Sequence, residues 1–292
     1  MDGLKPRSNT TTDLGLRCKL EGMRRLSLCT ILLCVAWTGR SVGHGQSLPS
    51  AKGTVTPDAG SRRPVVVELF TSEGCSSCPP ADEFVRKLDT LQPVTGVQFI
   101  VLSEHVDYWD HDGWRDPNSS AALTERQVEY KRSLGLGGPY TPQLIVDGTK
   151  ELRFADPQQL ETTFQQAAAT PKVAVRIGAV NLDSATPAVL RAHVEADDDS
   201  EKHSADVFVA VALDHVESQV LKGENGGRHL THVAVVQQIA KVGRVQKGKN
   251  FSGDGQLKLK PGTDPKNSRL VAFLQEPGPG KLLGAALWEV GH

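Results

Sequence analysis

Between residues 65 and 169 short apolar runs alternate with longer stretches of helical spacing, a pattern that few layer architectures accommodate. Residues 65–70, with three successive valines, read as a buried strand. Residues 79–91 place Ala81, Phe84, Val85 and Leu88 on one helical face. Pro79 and Pro80 suit a first turn, where an amide donor has no partner in the helix. Residues 97–102 read as a second buried strand and residues 119–134 as a second helix, broken by the segment 135–140. A third strand is expected over 142–146, and Asp147-Gly148 signals a hairpin into a strand near 150–154. Asp156 caps a last helix that has Pro157 in its first turn and runs to about residue 169. The expected order is β-α-β-α-β-β-α.

After Pro171 the pattern changes. Residues 173–180, 189–196, 207–214, 257–259, 270–275 and 282–290 read as strands separated by Asp-, Gly- and Pro-rich turns. Residues 231–240 fit a strand or a short helix equally well. This half is expected to form an antiparallel β-sandwich. The two halves suggest domains over 64–170 and 171–292.

The N-terminal region reads as a leader. Arg24 and Arg25 follow Met23, and residues 26–37 form an apolar run of twelve residues. That run is too short for a bilayer, which takes about 20 apolar residues, and suits a secretory signal. Cleavage is expected after Gly45 or Gly43, and Met23 is read as the true start. Leu33 occupies the place where a lipidation site at Cys34 needs a small residue. Residues 46–63 are rich in Ser, Gly, Thr and Pro and read as a flexible linker.

Loss of the leader decides the cysteine chemistry. Cys18, Cys29 and Cys34 depart with it, leaving Cys75 and Cys78 in an oxidising compartment, periplasmic or extracellular. The first 45 residues hold seven Lys and Arg and three Asp and Glu, so the net charge moves from −1 to −5. Nucleic acid is therefore not expected as a partner, since a general nucleic-acid binder would need a basic face. No membrane span is expected in the mature chain.

A Cys-x-x-Cys pair just before a helix has three chemistries open to it. The helix dipole and its unpaired amides lower a thiol pKa, which suits a redox-active dithiol. An inert disulfide would close so short a loop that it stabilises little. A metal site would need two further ligands, and no second such pair exists.

The segment Phe70-Thr71-Ser72-Glu73-Gly74-Cys75-Ser76-Ser77-Cys78-Pro79-Pro80-Ala81-Asp82 resembles the signature of the exported thioredoxin-like proteins grouped as domain of unknown function 1223. His105-Val106-Asp107-Tyr108-Trp109-Asp110 with Gly113-Trp114 resembles their second block, and Tyr140-Thr141-Pro142-Gln143 their third. A weaker echo lies at 227–232, so the resemblance spans roughly residues 64–290. It implies an α/β thioredoxin-like domain followed by an antiparallel β-sandwich-like domain. It also implies that Cys75 is exposed and attacks while a more buried Cys78 resolves the mixed disulfide. Thr141-Pro142 is expected to be cis and, with Tyr140, to hold a partner chain. Glu68, seven residues before Cys75, matches a buried acid that relays a proton to the second cysteine; the other reading is a structural acid. Gly74 stands where thioredoxins carry an aromatic, and Ser76-Ser77 where they carry Gly-Pro.

The loop 104–116 is expected beside the cysteines, because parallel strands end on one rim. It holds His105, Asp107, Tyr108, Trp109, Asp110, His111, Asp112 and Trp114. It could bind a substrate peptide, complete a Cu(I) site with the thiolates, or pack on itself as an Ω-like loop. His229 and His232 would share a metal only on a helix and are read as surface residues. The expected activity is thiol–disulfide exchange with protein or peptide substrates and a redox partner, without a cofactor. A copper-binding protein using Cys75, Cys78 and His105 and a non-catalytic binding module are the alternatives.

Overall fold

The computed structural model describes residues 62–183, 188–198 and 204–289. The expected leader, and the expected linker up to residue 61, lie outside them.

Strand β1 (Arg63–Thr71) leads through the cysteine segment into helix α1 (Pro79–Leu91), and β2 (Val97–His105) follows. A single 3-10 turn, Asp107–Trp109, precedes helix α2 (Ala121–Leu134), which Ser120 caps by accepting the Ala122 amide. Strands β3 (Gln143–Val146) and β4 (Lys150–Leu152) form a hairpin. Helix α3 (Pro157–Ala169) starts where expected, with the Asp156 carboxylate accepting the amides of Gln158 and Gln159. Seven further strands complete the described chain. They are β5 (Val175–Asp183), β6 (Val189–Ala196), β7 (Ala205–Gln219), β8 (His229–Val245), β9 (Phe251–Lys258), β10 (Ser268–Gln275) and β11 (Leu282–Glu289).

The expectation of an α/β thioredoxin-like domain followed by an antiparallel β-sandwich-like domain is overturned. The described residues are mostly strand, with three α-helices. Strands from both halves join one mixed eight-stranded sheet, in the order β11-β10-β7-β8-β2-β1-β3-β4. The join is β8, which pairs antiparallel with β7 on one side and runs parallel to β2 through Ser103 and Val235 on the other. Its position explains the ambiguous reading of 231–240. His232 to Val236 are all buried, and a strand covered on both faces shows an unbroken apolar run instead of alternation. The separate sheet β5-β6-β9 packs Leu190, Ala192, Val194 and Leu257 against Val207, Val209 and Val211 of β7.

The two faces of β1 have different neighbours. Val65, Val67 and Leu69 pack with Ala81, Val85 and Leu88 of α1 and with Phe164 of α3. Val66 packs instead with Ile100, Leu102 and Leu123, and Phe70 with Tyr130 of α2. Strands β1 and β2 are parallel and end together at Thr71 and His105. The cysteine segment and the loop after β2 therefore leave from one rim. Among the described residues no helix is long and apolar enough to cross a membrane.

Candidate functional site at the Cys75–Cys78 disulfide

Cys75 and Cys78 are joined by a disulfide, with Cα atoms 5.4 Å apart. Tight turns bring them together: the Cys75 amide donates to Ser72 O and the Cys78 amide to Cys75 O. Cys78 is the N-cap residue of α1, and its carbonyl accepts the amides of Ala81 and Asp82. Ser77 Oγ lies 3.3 Å from Cys75 Sγ. Both cysteines are 0% exposed, which corrects the expectation of an exposed first cysteine above a buried second.

Two distant segments cover them. Residue 109 lies over Gly74: a Cβ at Gly74 would meet Trp109 O at 2.7 Å, so the backbone approach excludes any side chain, an aromatic one included. On the other side, Asn225 Nδ2 donates to both Glu73 O and Cys75 O, each at 2.9 Å. Glu224 accepts the Ser76 amide at 3.0 Å.

A buried polar cluster lies beneath the turn. His105 Nδ1 and Asp116 Oδ2 are 2.7 Å apart, and the same Asp116 oxygen accepts the Glu73 amide. Trp114 Nε1 donates to Glu73, and Thr71 Oγ1 to Asp82. His232 Nδ1 lies 3.6 Å from Asp82 Oδ1, and its ring meets that of His105 edge-on at 4.8 Å. Burial disfavours charge on His105, but the Asp116 carboxylate beside it outweighs this and raises its pKa. Burial likewise works against ionised Asp116, yet His105 and two backbone amides hold its pKa down at about 2. Burial and then Asp116 raise the Glu73 pKa.

The family described as Protein of unknown function (DUF1223) matches residues 66–275. The chain belongs to this family. No curated protein matches it. Among solved structures, the DUF1223 chain is similar to protein AGR_C_4864 from Agrobacterium tumefaciens, at 28% identity and a TM-score of 0.60. That match covers 80% of this chain and 96% of the other. HBP35 of Porphyromonas gingivalis matches at 17% identity and a TM-score of 0.56, over 79% of this chain and 76% of that one. At that identity the likeness is one of fold alone.

Several residues expected at the site of this DUF1223 protein do gather on the rim. Trp109 Nε1 donates to Thr141 Oγ1 at 2.6 Å, and the Thr141–Pro142 peptide is cis. The Tyr108 hydroxyl donates to Gln127, which in turn donates to the Tyr140 carbonyl. Tyr108 and Tyr140 are exposed. His105 lies beneath the rim in the buried cluster, with its Nδ1 engaged by Asp116.

Glu68 is not brought to the cysteines. It shares the face of Val66 and Phe70, opposite the face on which α1 packs. There its carboxylate accepts Arg126 Nε at 2.8 Å and the Tyr130 hydroxyl at 2.5 Å. Glu104 shares this pocket, and burial followed by the neighbouring Glu68 raises its pKa well above the ordinary value. His229 and His232 also part company, because three residues along a strand turn to opposite faces. His229 is exposed, whereas His232 is buried and not at the surface as expected. Among the described residues no three His, Cys, Asp or Glu side chains are grouped to hold a metal ion.

Asn225 and Glu224 do not stand out in the sequence as parts of this site, and Asp116 does so only as the last residue of the loop 104–116. Glu73 and Asp82 stand inside the quoted motif, so a signal for them existed. Asn225 and Glu224 reach the cysteines from about 150 residues away in the chain, and nothing local marks them.

Proposed function

We propose that this DUF1223 protein is an exported thiol–disulfide oxidoreductase acting on protein or peptide partners through Cys75 and Cys78. The observation that carries this reading is the Cys75–Cys78 disulfide, set at the start of α1 on a rim with Trp109, Tyr108, Tyr140 and Thr141. A helix N-terminus favours the thiolate that exchange requires. In the proposed reaction a partner thiolate attacks Cys75 Sγ, the Cys75–Cys78 bond breaks, and Cys78 leaves as a thiolate and takes a proton. The partner's second thiolate then displaces Cys75 and forms the partner's own disulfide. Two electrons pass from the partner dithiol to the protein, and the reverse course, starting from the Cys75 and Cys78 thiols, reduces a partner disulfide. The exposed tyrosines offer a partner chain contact surface beside the sulfurs.

Dithiothreitol-driven reduction of insulin tests the proposal. The protein is expected to accelerate it, Cys75→Ala to abolish the acceleration, and Cys78→Ala to retain a mixed disulfide with a partner on non-reducing gels. If the intact protein leaves insulin reduction at the background rate and the Cys78 variant traps nothing in its native compartment, the proposal is wrong.

A further inference from the structure

Exchange at a disulfide requires a nucleophile to reach a sulfur, and here both cysteines are wholly buried. The turn 220–228, which joins β7 to β8, is strapped across the Cys75 segment. Its grip is on backbone. One amide group, that of Asn225, ties Glu73 O and Cys75 O, and Glu224 takes the Ser76 amide. Asn225 is itself only 1% exposed and is held in place by Arg228 Nη1, which donates to its Oδ1 at 2.9 Å. The turn is closed internally by Gly227 N to Val220 O at 2.8 Å and Gly226 N to Gly223 O at 3.0 Å. It is thus a preformed element attached to the cysteine segment by a few polar contacts.

We infer that Asn225 and Glu224 are the access-determining residues of the Cys75–Cys78 site, and that the 220–228 strap lifts before any thiol reaches either sulfur. The biological use of this gate rests on the proposed oxidoreductase activity; the gate itself acts on any thiol. Hydrogen bonds in such a contact are exchanged for bonds to water when it opens, so opening is a modest, reversible step. The strap's own closing bonds are internal to it and stay made, while its packing of Lys222 and Gly223 against Gly113 and Trp114 parts as it lifts.

The test is the rate of reduction of the Cys75–Cys78 disulfide in the whole mature protein, followed by quenched alkylation and mass spectrometry over rising dithiothreitol. In the intact protein the strap recloses faster than thiol attacks, so the rate is expected to stay proportional to thiol, with a second-order constant scaled down by the small open fraction. Asn225→Asp keeps the side-chain shape and removes the donor. It is expected to raise that constant by about tenfold or more, as the loss of one or two net hydrogen bonds implies. Glu224→Ala is expected to act in the same direction, and Glu224→Gln, which still accepts from Ser76, to retain the intact constant. A constant for the intact protein as large as that of the urea-unfolded chain would overturn the inference. So would intact-protein constants in both Asn225→Asp and Glu224→Ala. Loss of insulin reduction with the slow, variant-sensitive disulfide reduction still present would remove the proposed activity and leave the gate standing.

Discussion

His105 and Asp116 show how strongly one buried pair is tied to pH. The Asp116 pKa falls from an ordinary 3.8 to about 2, and a depressed carboxylate stabilises the fold above its unfolded pKa. That stability is lost as pH falls from about 4 to about 2, and it amounts to about 2 kcal/mol. His105 is raised, so its share is present below about 6.5 and is lost as pH climbs through its folded pKa. The two are one interaction seen from each partner and count once. Asp116→Asn leaves the His105 ring buried without its counter-charge. We expect it to cost about 3 kcal/mol at pH 5 and to flatten the rise in stability above pH 2. Urea midpoints at pH 3, 5 and 7 for both proteins would show this; parallel profiles would contradict it.

At the scale of elements, α2 is fastened to the sheet through a charge. Arg126 donates to Glu68 of β1 and to Gln275 of β10, and Tyr130, one turn on, donates to the same Glu68 carboxylate. The helix thereby spans strands far apart in sequence. Glu68→Gln removes the nearer of two carboxylates that face the buried Arg126 guanidinium, Glu104 being the other at 3.5 Å, and is expected to lower stability by about 3 kcal/mol. Denaturant unfolding measures that cost. The pH dependence of disulfide reduction is expected to keep its shape in this variant, because Glu68 faces away from α1 and its cysteines. A profile that lost an inflection in the variant would return Glu68 to the redox chemistry.

At the scale of the whole molecule, β8 decides whether the N-terminal half stands alone. Val66, Ile100 and Leu102 pack on Ala210, Ala212 and Phe273, all from the chain after residue 204. Without those strands β2 would present an open edge and an uncovered apolar face, which invites aggregation. A fragment of residues 62–170 is therefore expected to lack a cooperative thermal transition and to bind the dye ANS, whereas residues 62–292 melt cooperatively. A monomeric fragment with a sharp transition would show that the half is self-sufficient.

Local physics made much of this protein legible in the amino-acid sequence. The spacing of Ala81, Val85 and Leu88, the Asp156 cap and the adjoining proline mark α1 and α3 through contacts within a turn or two of the chain. The Cys75–Cys78 pair at a helix start and Thr141-Pro142 just before β3 were visible for the same reason. Tertiary structure alone placed β8 beside β2, because strands pair through backbone groups that every residue carries and side chains do not spell out the partner. It alone set Glu68 against Arg126, brought His232 to His105, and laid Asn225 over Cys75. Those contacts join residues far apart in the chain, and their chemistry exists only once the sheet has closed around them.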